Sequence, residues 1–112
     1  DDMREAPSLS IIPKLLDNGI SVSIYDPEAG QQEIEEFYGA EWKSDPYSVA
    51  ENSDCLVILT EWDEFKELDL KKIKDIMSQP IIVDFRNIFS LNKMKDLNFE
   101  YHSVGRCTIN TK

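Results

Sequence analysis

Glycine is scarce in this chain: four residues in 112, and none of them forms the G-x-G-x-x-G spacing. That spacing lets a backbone close on a pyrophosphate, so a self-sufficient dinucleotide-binding half-domain is not supported. Cations are short as well. Twelve Lys and Arg stand against 22 Asp and Glu, for a formal net charge of −10. A duplex-binding surface needs the opposite surplus, so nucleic acid is not an expected partner. An anionic ligand would have to be met by a few placed cations and helix amino termini, not by the overall field. Only two cysteines occur, Cys55 and Cys107, without metal-ligand spacing and with no neighbouring His to activate them. Cys55 opens an apolar run, where a free Cys is usually packing, and Cys107 lies in a polar tail. No apolar run approaches the ~20 residues of a membrane-spanning helix. The acidic opening, Asp1-Asp2-Met3-Arg4-Glu5, is unlike a secretory leader. The expectation is a cytoplasmic protein with no membrane partner, in which a disulfide is disfavoured.

What is present is ordinary for a globular chain, with 41% hydrophobic and 30% charged residues, enough for one domain. Helical spacing of Leu9, Ile12 and Leu16 predicts a helix over 7–18, started by Pro7 and stopped by Gly19. The period then changes. Ile20, Val22 and Ile24 alternate with polar residues up to Asp26-Pro27, as a strand does. Residues 31–38 predict a short helix with Ile34, Phe37 and Tyr38 inward, closed by Gly39. Asp45-Pro46 caps another, carrying Val49 and Ala50. Residues 55–60 form an unbroken apolar run, as in a parallel strand covered on both faces. A helix over 70–78 is broken by Pro80, and 81–85 is the next buried strand. Ser90 caps a helix through Leu97, and 99–104 alternates as a last strand.

Alternation of strands and helices at this spacing implies right-handed βαβ crossovers and an α/β fold with a doubly wound, Rossmann-like parallel sheet. The opening helix has no strand before it. On pattern alone, either the sheet starts at Ile20 or a first strand is missing from this chain.

Several residues invite a chemical reading. Asp84-Phe85-Arg86-Asn87 lies at the carboxyl end of a buried strand, the edge where ligands bind in open α/β sheets. Arg86 could hold a phosphate in a bidentate fork or simply pair with one of the many acids; pattern leaves both open. Asp26 sits where a ribose-binding acid could sit, but without the glycine loop a turn former is the simpler reading. Two aromatics, Trp62 and Phe65, suit a helical turn packed on the sheet. Arg4 reads as a solvated charge and His102 as a satisfied structural histidine.

Taken in order, residues 1–8, 22–27, 45–47, 56–65 (LVILTEWDEF), 82–88 (IVDFRNI) and 99–106 resemble the carboxyl-terminal domain of the UDP-glucose and GDP-mannose dehydrogenase family. The segment TEWDEF most resembles the UDP-glucose branch. The resemblance implies a UDP-binding domain over 1–112, working with an NAD-binding Rossmann domain and a central dimer-building domain elsewhere in its own chain. It implies oxidation of a UDP-sugar C6 alcohol to the carboxylate with two NAD, through a thioester on a cysteine that has no match here. A homodimer or larger assembly is then expected, and the chain alone should be inert. Residue by residue, Arg4 matches a family Arg that reaches NAD, and Arg86 one that contacts the nucleotide sugar. The family also has a strand ahead of Asp1 that ends in a substrate-binding Lys, so the expectation is a chain lacking that strand. Two departures stand out. Ala6 replaces a frequent Ser, and Phe85 replaces a frequent Gly beside Arg86. Within the family the alternative is a dehydrogenase of another nucleotide sugar, a UDP-N-acetyl-hexosamine or GDP-mannose; a phosphoacceptor receiver module and a purely structural assembly domain are the rivals from other classes.

Overall fold

The computed structural model describes residues 8–26, 37–60 and 63–103, with side chains from Ser10 onward. The chain falls into two compact units, residues 1–49 and 50–112. No helix among the described residues is long and apolar enough to cross a membrane.

In the first unit, α1 (Ser8–Asp17) places Ile12 against Ile24 and Phe37, with Leu16, Val22, Ala40 and Trp42 packed around them. Pro13 lies inside this helix and, lacking an amide hydrogen, leaves one helical bond unmade. The stop at Gly19 is a left-handed closure: its φ is 77°, its amide donates to Leu16 O, and Ile20 N donates to Leu15 O. That closure explains a correction. Ile20 belongs to the helix ending and is 48% exposed, so it is not an inward strand residue. Strand β1 is only Ser23–Ile24, paired in parallel with β2 (Glu41–Trp42). Two residues are too few to show alternation, and β2 had no sequence signal. Phe37 is buried as expected, but Tyr38 is 67% exposed, because the chain is already turning there toward Gly39 at φ 103°. Ile34 and Pro27 lie outside the described residues. Helix α2 (Pro46–Ala50) starts where Asp45 Oδ1 accepts from Tyr47 N at 2.8 Å and Ser48 N at 3.0 Å.

The second unit holds β3 (Leu56–Ile58), β4 (Ile81–Asp84) and β5 (Glu100–Ser103), all parallel in the order β3-β4-β5. Parallel neighbours need crossovers. These contain α3 (Asp63–Lys66) and α4 (Leu70–Ile76) before β4, and α5 (Leu91–Asp96) before β5. Asp69 and Ser90 cap α4 and α5, accepting from Lys72 N at 3.2 Å and Lys93 N at 3.1 Å. Leu70, Ile73 and Met77 from the α4 region, Met94 from α5, and Phe99, Ile58, Ile82 and Tyr101 are buried. Phe65 is buried on α3, as the packing role required; Trp62 lies outside the described residues. One expectation fails in part. The 55–60 run is not covered on both faces here, since Val57 is 37% exposed and Cys55 is also exposed. The expected class, parallel α/β with flanking helices and a Rossmann-like order of elements, is what the two units contain.

Candidate functional site

Register aligns Ile58, Asp84 and Ser103 across the second sheet, so the carboxyl ends of all three strands share one edge. Strand β4 runs into that edge with Ile82 and Asp84 on its buried side. A strand alternates faces at every residue, so Phe85 turns outward, 39% exposed, as the chain leaves the sheet. Its amide still donates to Ile58 O at 2.9 Å, which keeps the first loop residue in line with β3.

Arg86 and Asn87 follow and are exposed; Asn87 takes a φ of 57°. Asn is among the few residues that tolerate this left-handed conformation, which re-aims the chain toward Phe89. Phe89 is 4% exposed and anchors the far end of the loop in the core. Between these anchors, the buried Asp84 carboxylate accepts hydrogen bonds from the loop's own amides. Arg86 N reaches Oδ1 at 2.9 Å, and Ile88 N and Phe89 N reach Oδ2 at 2.9 and 3.3 Å. The Tyr101 hydroxyl donates to Oδ2 at 2.6 Å. This node was not foreseen. An Asp on the inward side of an apolar strand is its one sequence signal, because a buried carboxylate must be satisfied.

The remaining candidates fall elsewhere. Arg4 and Cys107 lie outside the described residues. Asp26 is buried at the end of β1 in the first unit. His102 Nε2 lies 2.8 Å from Glu100 Oε2, two residues away on the same strand face, which is a satisfied structural histidine. Cys55 exposes part of its residue surface, yet partial burial pushes its thiol above the ordinary range, with Glu100 and Asp54 adding to the shift. A thiol held protonated is a poor nucleophile. No group of three or more His, Cys, Asp or Glu among the described residues could hold a metal ion.

Residues 1–91 match the profile of the UDP-glucose/GDP-mannose dehydrogenase family, UDP binding domain. The UDP-glucose 6-dehydrogenase TuaD of Bacillus subtilis is 44% identical over 108 residues, covering 95% of this chain and 23% of that protein. The UDP-glucose 6-dehydrogenase of Rhizobium meliloti is 40% identical over 106 residues, 95% of this chain and 24% of that protein. Among solved structures, the NDP-N-acetyl-D-galactosaminuronic acid dehydrogenase of Methanosarcina mazei superposes with a TM-score of 0.80 at 27% identity, over 95% of this chain and 22% of that one. The chain thus spans about a quarter of the length of the curated relatives it matches.

Proposed function

The chain belongs to the UDP-glucose/GDP-mannose dehydrogenase family, in its UDP binding domain, and on that premise we propose that it binds the nucleotide-sugar substrate of a UDP-glucose 6-dehydrogenase. Residues 1–112 act as one carboxyl-terminal domain of that enzyme. Arg86 meets the ligand at the carboxyl edge of the second sheet, and Arg4 reaches NAD from its position ahead of α1. The observation that carries the reading is the placement of Arg86 on an anchored loop at the end of a parallel strand. Ligands of open α/β sheets bind at that edge, and a guanidinium suits phosphate or sugar oxygens with its planar fork.

NAD supplies hydride acceptance in the proposed reaction, but the described residues do not fit it as a principal site. The loop amides at 86, 88 and 89 are used by Asp84, and the chain has no glycine fingerprint to cradle a pyrophosphate. The main NAD site is therefore assigned to another part of the enzyme, as is the cysteine that carries the thioester. Subunits of the whole enzyme pair at least as a homodimer, and its product serves polysaccharide synthesis in the cytoplasm.

A receiver-type phosphoacceptor role for Asp84 conflicts with its geometry. The carboxylate is fully buried and already accepts four hydrogen bonds, so no phosphoryl donor could reach it. Calorimetric titration of the full-length protein with UDP-glucose, UDP and GDP-mannose tests the reading. Binding of both uridine ligands, with Arg86→Ala weakening UDP-glucose at least tenfold, is expected. Equal affinity of Arg86→Ala and the parent for UDP-glucose would remove Arg86 from the site.

A further inference from the structure

Asp84 and Tyr101 are both fully buried, 17 residues apart in sequence, and joined by a 2.6 Å hydrogen bond. Neither is placed to touch a ligand. A carboxylate offers about four acceptor positions, and here four donors are aimed at it: three loop amides and the tyrosine hydroxyl. The same hydroxyl lies 3.2 Å from Phe89 O, so Tyr101 borders both ends of the turn. Phe85 N is tied to Ile58 O, which leaves Asn87 as the one residue of 85–89 whose amide has no partner among the described residues.

A glycine-rich loop offers its backbone amides to phosphate. Here a carboxylate of the protein already occupies that role, so the loop delivers side chains and not backbone donors. We propose that Asp84 and Tyr101 are positioning residues for nucleotide-sugar binding, their hydrogen bond holding residues 85–89 in the shape that presents Arg86 to the ligand. This rests on the reading that Arg86 meets the nucleotide sugar. The physical gain is preorganisation: a loop already held in its bound shape loses less freedom when the ligand arrives.

Tyr101→Phe keeps the ring in the core and removes only the hydroxyl. Asp84→Asn keeps the size but turns an NH₂ toward at least one donor. The experiment is equilibrium titration of the full-length protein with UDP-glucose in the absence of NAD, with NADH binding as the control. Tyr101→Phe should weaken UDP-glucose by about three- to tenfold, the scale of one lost hydrogen bond, and leave NADH within about twofold. Asp84→Asn should act in the same direction and further; if it does not fold, Tyr101→Phe carries the test. In an Arg86→Ala background, Tyr101→Phe should cost nothing more, because its effect passes through Arg86.

Unchanged UDP-glucose affinity in Tyr101→Phe, with Arg86→Ala weakened, would overturn the positioning role and leave the binding reading standing. Additive losses in the double variant, or equal losses for UDP-glucose and NADH, would overturn it too, marking general destabilisation. No effect of Arg86→Ala itself would instead sink the binding reading on which the proposal depends.

Discussion

At the scale of single residues, Arg86 and Cys55 make opposite predictions. Arg86→Lys keeps the charge and loses the planar fork. In the full enzyme it should lower kcat/KM for UDP-glucose by about 1.5–3 kcal/mol, the range for a charge-assisted hydrogen bond, and leave the KM for NAD unchanged. Steady-state kinetics with each substrate varied in turn would show it. A shift confined to NAD would mean that Arg86 serves the cofactor and not the nucleotide sugar. Cys55 should be inert. Its thiol is raised by burial first, then by Glu100 and Asp54, so at neutral pH it stays protonated and should alkylate more slowly than an exposed model thiol, measured by peptide-resolved mass spectrometry. The unfolded thiol ionises first as pH rises, so whatever stability this shift contributes is present at neutral pH and lost under alkaline conditions. Cys55→Ser should leave turnover within about twofold, since no nucleophile is removed.

At the scale of elements, the caps were the most readable features. Ser90 precedes an apolar-periodic run, and in the structure its hydroxyl accepts from Lys93 N at 3.1 Å. Ser90→Ala should weaken α5 by about 0.5–2 kcal/mol, the range for a lost amino-terminal cap. Faster hydrogen exchange of the α5 amides in the full-length protein is the readout, and unchanged exchange would show that Met94 packing alone holds the helix. Asp45-Pro46 and Gly19 were equally legible, because each acts through its own backbone neighbours. Strand limits were not. Ile20 and Tyr38 read as inward from their spacing, but each sits where the chain is leaving one element for the next, and a turn overrides periodicity. Strand β2, with two residues, exists only because its backbone pairs with β1.

At the scale of the whole molecule, β1 pairs only with β2, and β3 only with β4, among the described residues. A strand edge left without a neighbour in a sheet promotes association. The strand expected ahead of α1 has a direct test. If the intact gene product carries such a strand, including it should raise the thermal midpoint of the chain and reduce its self-association, followed by sedimentation. An equal midpoint in both forms would count against it. Mixed alone with UDP-glucose and NAD, the 112-residue chain should form no NADH, because the thiol nucleophile and the main cofactor site are assigned elsewhere.

The alternation of apolar runs, the capping residues and the ordered segments were enough to read the α/β class, the helix caps, the place of Arg86 after a buried strand and the family. These are local or periodic properties, written in neighbouring residues and in the alternation of apolar runs. What holds the 85–89 loop is visible only in the folded chain. The Asp84–Tyr101 bond joins residues 17 apart on two adjacent parallel strands; the inward side of β4 signals a carboxylate that must be satisfied, but no local pattern names its partner. Whether Val57 is covered, and which turn residues face inward, were likewise settled by packing, since exposure is a property of neighbours in space and not of neighbours in sequence.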